Sequence, residues 1–470
     1  MTSEPSPATA KDGATAKDGM PLDTVRHGAT MAAGRLSPAA LWRLANKAAR
    51  RLGWGVADQA MSSISNFAVN IYIARSLGAV QYGAFGLAYV TYGFALNASR
   101  GLATDPLLVR YSDAAPSAWR RAVATCTGTA LTVGLTIGAC ILVTAALLSG
   151  TARLAFLALG LTLPGLLLQD SWRFSFFALG RGGRAFLNDT IWTAALIPAL
   201  VLLRMTGHSN VFWFVFAWGA TATLGAAIGP WQAGVIPRLA GAWRWVSRTI
   251  DLGPRYLVEG TANSASAQLR NYGIGFALGL AAVGYLQAAN TLMGPIMVVF
   301  FGMGLVTLPE AARILRRSPR RLPLFCVLVS GGLTLLALTW GIALLVALPR
   351  GLGQLMLGSL WRPTYPLLWP SVVSTMGMCV LGGASIGLHA LGAARRSMRA
   401  MLVWSALYVV LSLAGAIGGG ALGPVGGTAG GLLGAIYGTA LSSWIGAVLF
   451  WWELRAALRE YRQLPAPAKT

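Results

Sequence analysis

The chain has 470 residues, with 37 Lys and Arg against 14 Asp and Glu. It is 55% hydrophobic, with a mean hydropathy of +0.61. Together with repeated apolar runs of about 20 residues, that composition excludes a soluble globular protein and predicts a polytopic membrane protein. A net charge of +23 would suggest nucleic acid in a soluble chain. Here most basic residues fall in short loops between spans, which the positive-inside bias explains without a nucleic-acid partner.

Taken in order, residues 1–37 contain a tandem ATAKDG (Ala8–Gly13, Ala14–Gly19) and little apolar content, and read as a disordered cytoplasmic tail. They lack the apolar run of a cleavable signal peptide. Over 38–52, Leu41, Leu44, Ala45, Ala48 and Leu52 share one helical face, and Arg43, Lys47, Arg50 and Arg51 the other. That pattern predicts an amphipathic helix lying on an anionic membrane surface, with membrane lipids as its partner.

Twelve spans follow, at about 54–74, 82–104, 121–148, 154–179, 188–203, 211–235, 256–280, 284–308, 324–348, 367–391, 398–417 and 428–452. They group into an N-terminal six-helix bundle (53–236), a cytoplasmic linker (237–255), a C-terminal six-helix bundle (256–454) and a cytoplasmic tail (455–470). Of the 37 Lys and Arg, Arg100, Arg173 and Arg270 lie within spans. Arg75, Arg153, Arg204, Arg350 and Arg362 lie in the expected outer loops, and all the others in inner loops or tails. This places both termini in the cytoplasm.

The chain repeats itself. WGVADQAMSSISNFAVNIYIARSLGAVQYGAFG from Trp54 falls into register with YLVEGTANSASAQLRNYGIGFALGLAAVGYLQA from Tyr256. Asp58 meets Glu259, Ser65 meets Ser266, Asn70 meets Asn271, Gly78 meets Gly279 and Gly83 meets Gly284. Because six spans separate the copies, both halves enter the membrane in the same sense. The expected fold is all-α, with about twelve transmembrane helices as two parallel six-helix repeats around a central cavity. The second half carries an extra outer segment, Gly351–Trp361, which reads as an interfacial helix.

The polar residues inside spans are the candidates for function. Glu259, Asn263, Ser266 and Arg270 form one stripe of the seventh span, and Asp58, Ser62 and Ser65, flanked by Asn66 and Asn70, its counterpart in the first. Arg270 lies about 16 Å along the helix from Glu259, near mid-membrane. A charge at that depth costs several kcal/mol, about 2.5–3.5 on insertion scales, and so faces a wet cavity or a partner. Arg100 and Arg173 have acids nearby in sequence, Asp105 and Asp170, and local pairing is as good a reading for them as function. For Arg270 no acid lies within a turn, and an unpaired guanidinium in a cavity suits a phosphate. Substrate contacts are therefore expected at Arg270, Arg100, Arg173, Asn66, Asn70, Asn263 and Asn271. Gating or ion coupling is expected at Asp58, Glu259, Asp105 and Asp170, with Asp189 and Glu310 also near the inner boundary. The prolines Pro164, Pro198, Pro230, Pro295 and Pro370 can kink their spans.

Cys126, Cys140, Cys326 and Cys379 stand apart in apolar spans and His27, His208 and His389 are scattered, so no metal or cofactor is expected. The outer loops hold no Asp or Glu, and no GxSxG, HExxH or Walker motif occurs. A polytopic glycosyltransferase or polymerase would need such groups, so the chain reads as a transporter and not an enzyme.

The stretch ADQAMSSISNFAVNIYIARSLGAVQYGAFGLAY, with ARSLG (Ala74–Gly78) and YGAFGLA (Tyr82–Ala88), resembles bacterial polysaccharide flippases of the O-antigen and teichoic-acid type. These belong to the multidrug/oligosaccharidyl-lipid/polysaccharide exporter superfamily, which also holds multidrug extruders and the lipid II flippase. The resemblance implies a polyprenyl-pyrophosphate-linked oligosaccharide carried from the inner to the outer leaflet of the cytoplasmic membrane by alternating access. It also implies glycosyltransferases or a glycan polymerase of the same pathway as partners. A cation-coupled multidrug extruder of the same fold is the alternative. The chain lacks the two extra helices typical of lipid II flippases.

Overall fold

The computed structural model describes residues 61–111, 115–250, 253–422 and 426–463, with the side chains of 253–263, 301, 304–306 and 422 excepted. The amphipathic segment 38–52 and Asp58 lie outside the described residues. We number the long helices α1 (61–76), α2 (Ala79–Tyr111, with a π-turn at Arg100–Thr104), α3 (Pro116–Leu147), α4 (Gly150–Ala178), α5 (Gly182–Met205) and α6 (Val211–Ala233). The second series is α7 (Gly253–Leu278), α8 (Leu280–Arg317), α9 (Leu322–Ala347), α10 (Trp361–Ala390), α11 (Ala394–Leu422) and α12 (Gly427–Gln463). The chain is a multi-pass membrane protein with the twelve-helix, two-repeat fold. Among the described residues nine helices are long and apolar enough to cross a membrane. The three outside that group, α1, α2 and α7, include the two with the polar stripes.

The repeat is visible in the packing. In the first half α3 packs on α4, α4 on α6 and α5 on α6; in the second α9 packs on α10, α10 on α12 and α11 on α12. The halves meet where α2 packs on α7 and α8. At this seam Gly83 and its repeat-mate Gly284 lie against the opposite backbone. A Cβ on Gly83 would stand 1.8 Å from the Leu280 carbonyl oxygen, and one on Gly284 2.3 Å from that of Ala79. Ala79 and Leu280 are themselves repeat-mates, so the contact is reciprocal about a pseudo-twofold axis.

We call the end holding the turns at 77–78 and 348–360 the outer end, following the charge bias. One apolar core joins the halves there, containing Leu77, Tyr82 and Leu196 with Leu286, Leu344 and Leu360. Toward the inner end, among the described residues, the core divides. Trp119, Trp172, Phe176 and Trp245 form a cluster in the first half, and Leu322, Leu388, Phe450 and Leu454 another in the second.

Several helices outrun their predicted spans. α8 continues through Arg317, past the predicted span end at 308, and α12 through Gln463, past that at 452. EAARILRR is built from strong helix formers, and Arg316 and Arg317 in the last turn complement the helix dipole. The extra outer segment forms a short helix, Leu352–Leu357, with Leu357 and Leu360 buried and Leu352 and Leu355 exposed. All five predicted span prolines lie inside helices. Pro230 cannot donate to the carbonyl of Ala226, and the Trp172 indole Nε1 donates to that oxygen instead, at 3.1 Å. Trp231 and Trp243 are exposed, whereas Trp218 and Trp245 are buried. Cys126, Cys326 and Cys379 are buried, and Cys140 lies exposed on α3.

Candidate functional site

The first half holds a polar network between its helices. Its first member is created by a backbone irregularity. Pro106 has no N–H for Leu102 and its ring crowds the preceding turn, and just before it the helix widens: the Asp105 N–H bonds the Arg100 carbonyl, five residues back. Arg100, at the head of this π-turn, grips Asp170 of α4 with both arms, Nε to Oδ2 at 2.9 Å and Nη2 to Oδ1 at 2.6 Å. Its guanidinium also lies 4.7 Å from the centre of the Phe174 ring. One helical turn on, Arg173 reaches Asp189 of α5 at 3.3 Å.

These pairings differ from the local ones suggested by sequence spacing, Arg100 with Asp105 and Arg173 with Asp170. Both arginines instead take an acid from a neighbouring helix. The reason is geometric: residues three apart on one helix are adjacent at Cβ, yet long side chains pointing into a packed interface reach the facing helix more directly.

The network extends through residues that spacing alone did not single out. Gln169 Nε2 donates to Asp189 Oδ1 at 2.7 Å and to Asn188 Oδ1 at 3.1 Å. Asn188 in turn donates to the Gly225 carbonyl and to Gln232 Oε1, both at 2.9 Å. Gln169, Asp170, Asn188 and Asp189 are all at most 5% exposed. The legible signal was two polar doublets, Gln169–Asp170 and Asn188–Asp189, set in otherwise apolar spans.

The second half is built differently. Arg270 on α7 is 6% exposed. Its Nη1 donates to Tyr408 Oη at 2.6 Å and its Nε to Ser412 Oγ at 3.3 Å, both on α11. The guanidinium lies 5.3 Å from the centre of the Tyr408 ring. Ser412 donates its own proton to the Ala435 carbonyl and accepts from Thr439, both on α12. Among the described residues no carboxylate pairs with Arg270. Tyr408 and Ser412 were invisible in the sequence because they lie 138 and 142 residues away.

The remaining candidates divide. Asn70 is 8% exposed; its Nδ2 donates to the Asn66 carbonyl at 2.9 Å, and its Oδ1 is buried without a donor among the described residues. Asn66 is exposed and bonds Ser62. Asn271 is 7% exposed beside Arg270. Asp105 opens the last segment of α2. Glu259 and Asn263 lie on α7 with side chains outside the described residues. Among the described residues, polar contacts cross between the halves where α2 meets α7, including Asn97 to Ser264 Oγ at 2.5 Å, Gln268 to the Val90 carbonyl at 3.0 Å, and Thr91 with Tyr272. Among the described residues no group of three His, Cys, Asp or Glu could hold a metal.

No protein-family model and no curated protein matches the sequence, but solved structures do match the fold. One is the inward-facing conformation of a multidrug resistance MATE family transporter of the MOP superfamily. It matches at a TM-score of 0.69 and 15% identity over 87% of this chain and 96% of that one. The outward-facing conformation of such a transporter matches at 0.53 and 16%, over 86% and 94%. A MOP superfamily transporter from Pyrococcus furiosus Vc1, described as having a binding pocket of reversed polarity that suggests a different function, matches at 0.55 and 15%, over 85% and 93%. The chain has the fold of the MATE-type transporters of the MOP superfamily.

Proposed function

We propose that the protein is an alternating-access exporter whose two six-helix halves rock about the α2–α8 seam. The observation that carries this reading is the divided core: one apolar cluster joins the halves at the outer end, and each half keeps its own cluster toward the inner end. Such a layout lets the inner ends part without exposing a common core.

Two cargo classes fit. A cation-coupled extruder of amphiphilic compounds is the better supported, because the solved neighbours include multidrug transporters in inward- and outward-facing forms. On this reading Asp170 and Asp189 are the coupling groups. An aspartate held by an arginine binds a proton only when the pair opens, so proton uptake and rocking become one event.

The second reading is a flippase for a polyprenyl-pyrophosphate-linked oligosaccharide. It rests on Arg270, a buried cation bonded to hydroxyls and, among the described residues, not to an acid, which could grip a diphosphate bidentately. Asn66, Asn70, Asn263 and Asn271 would then offer hydrogen bonds to sugar hydroxyls. In either case the protein would work in the bacterial cytoplasmic membrane with both termini inside. For the flippase, the partners are the glycosyltransferases or polymerase of its pathway.

Proteoliposomes separate the two. An imposed proton gradient should drive efflux of a cationic dye, and Asp170→Asn should abolish it while Arg270→Ala leaves most of it. Gradient-independent dye behaviour, together with leaflet transfer of a polyprenyl-pyrophosphate glycolipid that Arg270→Ala stops, would replace the extruder with the flippase.

A further inference from the structure

A second basic site lies outside the network described above, at the inner end of the first half. The chain leaving α6 folds back on α3, with the Arg238 N–H bonded to the Ala124 carbonyl at 2.7 Å. It then forms a short helix, Ala242–Arg248. Arg110, at the end of α2, pins that helix by donating to the Arg248 carbonyl at 2.6 Å, and Trp245 packs against Tyr111 with ring centres 5.8 Å apart. Between these elements lies a cavity of about 560 Å³ whose lining includes Arg121, Arg238, Arg244, Arg248 and Trp245.

Two features of this cavity point to an anion. None of the four arginine side chains has an ion-pair partner among the described residues; Asp113 and Asp251, nearby in sequence, lie outside them. Independently, Trp245 is 4% exposed, yet its indole Nε1 is buried with no acceptor among the described residues. A buried donor left unbonded is costly, and an acceptor entering the cavity would satisfy it.

The surroundings say where the anion comes from. Trp243 and Ile250 stand next in sequence to the lining residues Arg244 and Thr249, and Trp231 and Ile236 a few residues before Arg238; they are 79%, 64%, 86% and 76% exposed. Large exposed aromatic and aliphatic side chains beside arginines at the end of a span mark the boundary of the acyl region. We propose that this cavity binds the phosphate of an anionic membrane lipid, such as phosphatidylglycerol, with its acyl chains lying along Trp231 and Trp243. The arginines supply charge and the Trp245 indole a directed hydrogen bond. The site is separate from the transport path and ties the linker between the halves to the membrane surface.

Thermal unfolding of the purified protein in a neutral detergent tests this. Dioleoylphosphatidylglycerol should raise the midpoint saturably by several degrees. Phosphatidylcholine at the same mole fraction should not, nor should inorganic phosphate beyond a chloride control of equal ionic strength. The R238Q/R244Q/R248Q variant should lose most of the shift while keeping its lipid-free midpoint. Trp245→Phe, which keeps the ring and removes only the donor, should lose part of it, and carries the test alone should the triple variant fail to purify. An undiminished shift in the variants overturns the site. An equal shift with phosphatidylcholine overturns the anion, and an equal shift with phosphate alone overturns the lipid.

Discussion

The two halves share a helix order and a packing scheme, yet they hold their intramembrane arginines in opposite ways. In the first half Arg100 and Arg173 each meet an aspartate from another helix. In the second half Arg270 rests on Tyr408 and Ser412. The inner ends differ in the same manner but with the sense reversed. Arg396 on α11 is clasped by Glu453 and Glu460 of α12, whereas the arginines around the cavity of the first half have no such partners among the described residues. The repeat therefore fixes where helices go and leaves the charge pattern free. A paired charge is part of the frame, since removing either member strands the other in low dielectric. Arg270, bonded among the described residues to hydroxyls and not to a carboxylate, can be removed there without leaving a counter-charge behind.

The most severe way to break this contrast is Asp170→Ala, which leaves the half-buried Arg100 guanidinium without its carboxylate. It should cost about 3–5 kcal/mol in unfolding experiments in detergent, whereas the double variant Arg100→Met, Asp170→Leu should fall near wild type. A loss below about 1 kcal/mol for the single change would show the pair to be dispensable to the frame.

Next in size are the seam glycines. Gly83→Ala and Gly284→Ala each drive a methyl into the backbone of the other half, and each should cost about 1–3 kcal/mol. Their near-equality is the sharper point, because it tests the pseudo-twofold relation directly. Gly302, on the same helix as Gly284, serves as the control, since a Cβ added there would meet nothing within 4 Å. Gly302→Ala should be neutral or stabilising by up to about 1 kcal/mol.

The smallest expected effect is at Tyr408→Phe, which removes one hydrogen bond to Arg270. A side-chain bond between membrane helices averages about 0.6 kcal/mol, and the loss should be of that order. Arg270→Met should likewise fold and insert. A collapse of the fold on either change would mean that Arg270 belongs to the frame as much as Arg100 does.

The class of this protein could be read from its residues in order. Runs of about 20 apolar residues have no use in water, so membrane spans were legible, and so was the repeat, since Gly83, Gly284 and their neighbours recur at a constant offset of 201 positions. The polar stripe on the seventh span could be drawn from a 3.6-residue period alone, because side chains on one helix are placed by that helix's own geometry. What those side chains touch was settled by packing. Spacing offered Arg100 a local pairing with Asp105 and Arg173 one with Asp170, on equal terms with a functional role, while the folded chain gave them Asp170 and Asp189. It gave Arg270 two hydroxyls from a helix nearly 140 residues away. Partners on a facing helix depend on rotation and crossing angle, which no local period encodes. The same holds for the arginine-lined cavity of the linker, whose four cations come from α3 and from the folded-back segment and short helix after α6. Charge can be counted along a chain, but whether it is compensated is a property of distances in three dimensions.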